Sequence, residues 1–278
     1  MCNMGYERIL AVQDISCLGQ CSMTVSLPIL SACGHETCIL PTMVLSTHTG
    51  GLGTPVRRDL TEDMIPIMEH WKEQGITFGC VYAGYLGKPE QVELVSHIAH
   101  ELLAPEGVLV VDPAMADHGK LYSGISDEYV QKIKELCRQA DVLLPNRTEA
   151  FLLADMGYET TSEEQVLKEL EDRYGAAVVL TGSAKEAGKT GFALRRQGKT
   201  RFYSRDLVGR AYHGTGDMFA SVFVGATMQG WDTFDAAVLA AEFVARVAEN
   251  TCHHPAHAYG TKFETALPWL IGELSQKG

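Results

Sequence analysis

Residues Phe78–Val111 read FGCVYAGYLGKPEQVELVSHIAHELLAPEGVLVV, and this stretch decides the fold. Phe78–Ala83 and Val108–Val111 are short apolar runs suited to buried strands, and Pro89–Leu103 between them has the periodicity of an amphipathic helix. Two strands joined through a helix must run parallel, because an antiparallel pair needs only a short turn. The same order recurs on both sides. Arg8–Ile15, Thr37–Leu45, Val142–Leu144 and Ala176–Thr181 read as strands, while Ser22–Cys33, Thr61–Gln74, Asp127–Gln139 and Glu163–Tyr174 read as helices. The pattern predicts an α/β three-layer sandwich, a mostly parallel central sheet with helices on both faces.

Punctuation supports these boundaries. Ser126 before Asp127-Glu128 is a predicted N-cap, and Gly75 and Gly175 are predicted stops. Pro28 misfits its helix and is expected near the first turn or at a kink. After Thr181 the pattern alternates instead: Thr190–Leu194 and Thr200–Arg205 flank Gln197-Gly198 and predict a hairpin. Asp217–Gln229, Thr233–Asn250 and Phe263–Leu274 then read as helices. With neither a low-complexity linker nor a repeat, the simplest reading is one domain over 1–278.

The chain has 278 residues, 46% of them hydrophobic, and a net charge of −12. That charge, without a basic run, argues against nucleic acid or an anionic membrane as partner and favours small molecules. No signal peptide is visible, and no apolar run reaches the ~20 residues needed to span a bilayer, so a cytoplasmic location is expected. The eight cysteines lack a second Cys or His pair at zinc spacing and read as free structural thiols.

The chemistry is concentrated in His213-Gly214-Thr215-Gly216-Asp217-Met218-Phe219, two glycines ahead of an apolar helix. Glycines let backbone approach a ligand, and free N–H groups of a first helical turn face a developing anion. A carboxylate there can take the proton of an alcohol attacking a phosphoryl group. Asp217 is suited to that role, and an ordinary N-cap aspartate would look the same in isolation. Gly182–Thr190 ends in Gly-Lys-Thr like a Walker A loop, yet it has one residue too many between its glycines and a hairpin follows instead of a helix.

Six segments in order are similar to the pyridoxal kinases of the ribokinase-like superfamily: Ile9–Gln13 with Gly19, Ser46–Gly50, Ala83–Gly87, Val111–Met115, Pro145–Glu149 and Gly214–Asp217. The resemblance implies a ribokinase-like fold and ATP-dependent phosphorylation of the 5′-hydroxyl of a vitamin B6 vitamer. Asp217 would be the base, and Gly214, Thr215 and Gly216 the anion hole. Thr49 and Tyr85 would hold the pyridine ring with Asp14 beside them. Asp112, Asp117, Asn146, Glu149, Thr181 and Gly182 would organise the nucleotide phosphates, with Asp112 and Glu149 at the metal, directly or through water. ATP and Mg2+ are the implied cofactors, K+ an optional monovalent cation, and a homodimer the implied assembly.

Most of these residues carry a second reading. Asn146 and Glu149 could cap the helix that follows, Asp112 could end a strand, Tyr85 could cover the sheet's edge, and Thr49 could close a turn. Asp14 stands where familiar pyridoxal kinases have serine. It either faces a cationic substituent, which would favour pyridoxamine, or bonds the loop Ile15–Gln20. His213 reads as a loop histidine, and His253, His254 and His257 as a surface or nucleotide-adjacent loop. Leu207–Tyr212 and Glu242–Asn250 are candidate walls for the adenine base. The rival functions are a hydroxymethylpyrimidine or other small-alcohol kinase, and a non-catalytic ligand-binding regulator.

Overall fold

Ile9, Leu10, Ala11 and Val12 are fully buried, as strands covered on both faces require. The computed structural model describes residues 7–50, 52–158, 160–184, 186–209, 212–254, 257 and 259–276. It divides into two compact units, Met1–Leu60 with Asp206–Gly278, and Thr61–Arg205.

The first unit opens with β1 (Arg8–Ser16), α1 (Met23–Ala32), β2 (Glu36–Leu45) and β3 (Arg57–Asp59). β1 and β2 are parallel, and β3 is antiparallel to β2. The second unit holds α2 (Thr61–Glu73), β4 (Phe78–Ala83), α3 (Pro89–Leu102), β5 (Leu103–Val111), the two-residue strands β6 (Ala116–Asp117) and β7 (Lys120–Leu121), and α4 (Asp127–Cys137). There follow β8 (Val142–Leu143), α5 (Arg147–Ala154), α6 (Glu163–Tyr174), β9 (Ala177–Thr181), β10 (Lys189–Arg196) and β11 (Lys199–Asp206). Its strands lie in the order β11-β10-β9-β8-β5-β4, with β4, β5, β8 and β9 parallel and β10 antiparallel to β9. The chain then completes the first unit with α7 (Thr215–Met228), α8 (Thr233–Cys252), a 3-10 turn at Phe263–Ala266 and α9 (Leu267–Ser275). There α7 packs on both α1 and α8. The architecture is mixed α/β with a large, mostly parallel sheet, as the strand–helix order predicts.

Local chemistry explains the ends. The Ser126 hydroxyl accepts from Tyr129 N–H, and Gly175 closes α6 at φ 70°. Gln197 and Gly198 both take positive φ, 52° and 75°, as a two-residue hairpin between twisted strands requires. Three expectations change or narrow. Pro28 is the sixth residue of α1, past the first turn, which leaves a kink as the standing expectation. β5 begins at Leu103, directly after α3, pairing Leu103 with Phe78. The predicted helix Phe263–Leu274 is a 3-10 turn and a separate α9, because Pro268 lacks the N–H needed to continue one ladder. No helix of the described residues is long and apolar enough to cross a membrane.

Candidate active site

In the first unit, Gly214 is the N-cap of α7 at φ 79°, a conformation that favours glycine. A Cβ there would overlap the Gln20 carbonyl oxygen and lie 3.3 Å from Cys21 Cα, so the turn is pressed against the loop leading into α1. Gly216 differs, since a Cβ there would meet no protein atom within 4 Å. The Thr215 hydroxyl donates to Tyr212 O at 3.1 Å. Met218–Ala226 are buried and seat the helix.

Asp217 is the third residue of α7, so it is not the N-cap. Its Oδ2 accepts the Ser22 N–H at 2.8 Å. Burial pushes its pKa up to about 7, with the nearby negative Asp14 adding to the rise and the Ser22 bond opposing it. Asp14 on β1 is 3% exposed. Its Oδ2 accepts the Ser16 hydroxyl at 3.0 Å, and burial raises its pKa against the Ser22 and Ser16 hydroxyls. The Ser16 bond matches the reading in which Asp14 holds its own loop. Cys21 donates its thiol to Ser16 Oγ at 3.5 Å, and burial, then the charge of Asp217, pushes it up to about 12. It therefore stays a thiol.

Thr49 is exposed in the bend after β2. Beside it, His48 is 4% exposed; its Nδ1 accepts Gly50 N–H at 2.9 Å, so Nε2 carries the proton and donates to Tyr259 O at 2.9 Å. Burial, then the neighbouring His213, lowers its pKa. The two rings lie 4.9 Å apart, so His213 is exposed but packed against His48.

In the second unit Asp112 directly follows β5, and Asn146 and Glu149 come after β8, beyond the C-terminal ends of parallel strands, where α/β sheets bind ligands. Glu149 is 2% exposed on α5. Its Oε2 accepts Asn146 N–H at 2.9 Å, and its Oε1 accepts Met115 N–H at 3.1 Å and Ala116 N–H at 3.4 Å. Asn146 Oδ1 accepts Glu149 N–H at 3.0 Å and completes a capping box, while its Nδ2 donates to Ala116 O at 2.7 Å. Burial holds the Glu149 carboxyl above the ordinary carboxylate range despite these N–H donors.

Asp117, half-exposed on β6, accepts His118 N–H at 2.7 Å. Thr181 at the end of β9 donates its N–H and hydroxyl to Pro145 O at 2.9 and 3.3 Å, and Gly182 follows at φ 69°. Asp112 N–H donates to Ala83 O at 2.9 Å, joining the end of β5 to the turn that carries half-buried Tyr85. Glu149→Gln should turn an amide NH2 toward backbone donors and strand at least one buried N–H. We expect a loss of about 1–3 kcal/mol, read as a lower urea midpoint at unchanged m-value.

Other motifs resolve simply. Gly188 takes φ 77° and Lys189 opens β10, so the Walker-like segment leads into a strand; its Lys185 lies outside the described residues. His253 is the C-cap of α8, and no three His, Cys, Asp or Glu among the described residues could hold a metal ion. The seven described cysteines are free, three of them buried, and Cys2 with the rest of 1–6 lies outside the description. Gly51, Arg210, Ala211, Pro255 and Ala256 lie outside it too. The sequence reading assigned no role to Ser16, Ser22 or His48. His48 lies inside the Ser46–Gly50 segment and could have been found there; Ser22 has no local signal.

Residues 61–261 match the family model described as phosphomethylpyrimidine kinase. The crystal structure of a pyridoxal kinase from Lactobacillus plantarum superposes with a TM-score of 0.91 at 29% identity, over 98% of this chain and 99% of that one. A Bacteroides thetaiotaomicron protein, described as a phosphomethylpyrimidine kinase and crystallised with pyridoxal, gives 0.89 at 34% identity over 95% of both chains. Pyridoxal kinase PdxY of Rubrobacter xylanophilus is 26% identical over 265 residues, 89% of this chain and 88% of the relative. Fold and likeness together define a small-molecule kinase of the ribokinase-like superfamily. Within it, the chain belongs to the phosphomethylpyrimidine kinase family and is a member of the pyridoxal kinase type.

Proposed function

We propose that the protein transfers the γ-phosphoryl group of ATP to the 5′-hydroxyl of a vitamin B6 vitamer. The substrate oxygen forms a bond to the γ-phosphorus as the bond to the β,γ-bridging oxygen breaks. ADP leaves, and the hydroxyl proton passes to the Asp217 carboxylate. The observation that carries this reading is Asp217 in the first turn of α7, anchored by a backbone N–H and raised to about 7, just after the constrained Gly214. N–H groups at Gly214, Thr215 and Gly216 stabilise charge on the phosphoryl oxygens. Thr49 and Tyr85 hold the ring.

Asp112, Asp117, Asn146, Glu149, Thr181 and Gly182 serve the nucleotide phosphates. Both Glu149 oxygens already accept backbone N–H groups. That donor set suits magnesium held through phosphate oxygens and waters, with Asp112 and Glu149 acting through water. When bound, the ion would neutralise phosphate charge. On the same reading the enzyme is a cytoplasmic homodimer, a state that light scattering on the purified chain reads directly.

Asp14, where serine is familiar, adds a carboxylate that a protonated aminomethyl group can satisfy. Asp14→Ser should lower kcat/KM for pyridoxamine relative to pyridoxal about tenfold, the worth of one charge-assisted hydrogen bond. An unchanged vitamer ranking would leave Asp14 only the loop bond to Ser16. The description of the matched family favours one second reading, a hydroxymethylpyrimidine kinase. ADP release measured with each alcohol separates the two.

A further inference from the structure

Ser22 sits at φ 51°, ψ −132°, a backbone conformation that glycine adopts readily and residues with a Cβ avoid. It is the N-cap of α1, yet its side chain makes no capping bond to that helix, the usual reason for serine at such a position. Its N–H points instead at Asp217 Oδ2, 2.8 Å away. The residue is 6% exposed.

The segment around it is clamped. An antiparallel bridge joins Ser22 to Ile15 at the end of β1. Gln20 fills the space a Cβ would need at both Gly214 and Gly260, and its Nε2 donates to Glu264 at 2.7 Å. The Thr24 hydroxyl donates to Cys21 O at 2.9 Å. A disfavoured conformation held from several sides and aimed at a functional carboxylate is what strain at a working site looks like.

We propose that Ser22 is the positioning residue of the catalytic base: its positive-φ backbone fixes the Asp217 carboxylate through its N–H. The inference rests on Asp217 as base. Among the described residues, Asp14 on β1 and Cys21 ahead of α1 are the titratable groups whose charge couples to Asp217. Cys21 stays neutral, which leaves Asp14 as the opposing charge and the Ser22 N–H as the group that favours ionised Asp217.

The test is the kcat–pH profile of wild type, Ser22→Val and Ser22→Gly, with Asp217 titrated by carboxyl carbon NMR in each. Valine, β-branched, resists positive φ and turns the N–H away; the acid limb and the Asp217 titration should both rise by about one pH unit, and kcat at neutral pH should fall about tenfold. Glycine keeps the N–H in an allowed conformation, so its limb should move by less than about a third of a unit, with kcat down about threefold. A Ser22→Val enzyme with the wild-type limb overturns the proposal, as does an equal shift in both variants. If Ser22→Val does not fold, Ser22→Ala replaces it. Alanine keeps the Cβ that disfavours positive φ, so its limb should lie above that of glycine, and equal limbs overturn the proposal. Asp217→Asn separates the two ideas: near-normal turnover there removes the base and the Ser22 proposal together, whereas lost turnover with unmoved Ser22 limbs removes Ser22 alone.

Discussion

Asp217→Asn is expected to lower kcat about 10³-fold, within the range that one general base contributes. The amide has the size of the carboxylate, and its oxygen can still accept the Ser22 N–H, so the turn keeps its shape and binding of vitamer and nucleotide should change little. The loss should therefore appear in kcat and leave KM nearly as it was, the signature of an interaction made only in the transition state. The pH dependence has a definite sign. The base works ionised, and burial raises its pKa to about 7, so kcat should climb as pH rises through about 7 and level off above it. Steady-state kinetics over a pH series checks both statements.

Gly214→Ala carries the second largest effect because it attacks geometry and chemistry together. A side chain at φ 79° costs about 1–2 kcal/mol from its own backbone. The new methyl would also overlap the Gln20 carbonyl and push on the loop that delivers the Ser22 N–H. We expect a lower urea midpoint together with a kcat reduced about 10²–10³-fold, comparable to removing one oxyanion donor. Gly216→Ala is the internal comparison. It stands in open space within the helix, so stability should hold or improve by about 0.5–1 kcal/mol. Equal destabilisation by the two substitutions would contradict the assignment of Gly214 as the constrained position.

Some of this was legible in the sequence, and the residues say why. Phe78–Ala83 and Glu163–Tyr174 were readable to the residue because buried runs and capped amphipathic helices leave a hydrophobic pattern. Arg57-Arg58-Asp59 forms an exposed edge strand with no such pattern, and the two-residue strands β6 and β7 are too short to have a period. At the site, Gly214 and Asp217 announce themselves by type ahead of an apolar helix, whereas Asn146 and Glu149 were singled out through the resemblance to pyridoxal kinases. The capping-box geometry of Asn146 and Glu149 also followed from their three-residue spacing. Ser22 did not show. Its distinction is a backbone angle and a bond to a residue 195 positions away, and neither leaves a trace in local residue types.

The most direct test of the whole account is the specificity constant of the purified enzyme with ATP and, in turn, pyridoxamine, pyridoxine, pyridoxal and hydroxymethylpyrimidine, with each product identified by mass. We expect 5′-phosphorylated vitamers, kcat/KM highest for one of the three, and no vitamer phosphate from Asp217→Asn on the same timescale. Phosphorylation of hydroxymethylpyrimidine in preference to every vitamer, or vitamer phosphate made at a near-normal rate by Asp217→Asn, would contradict it.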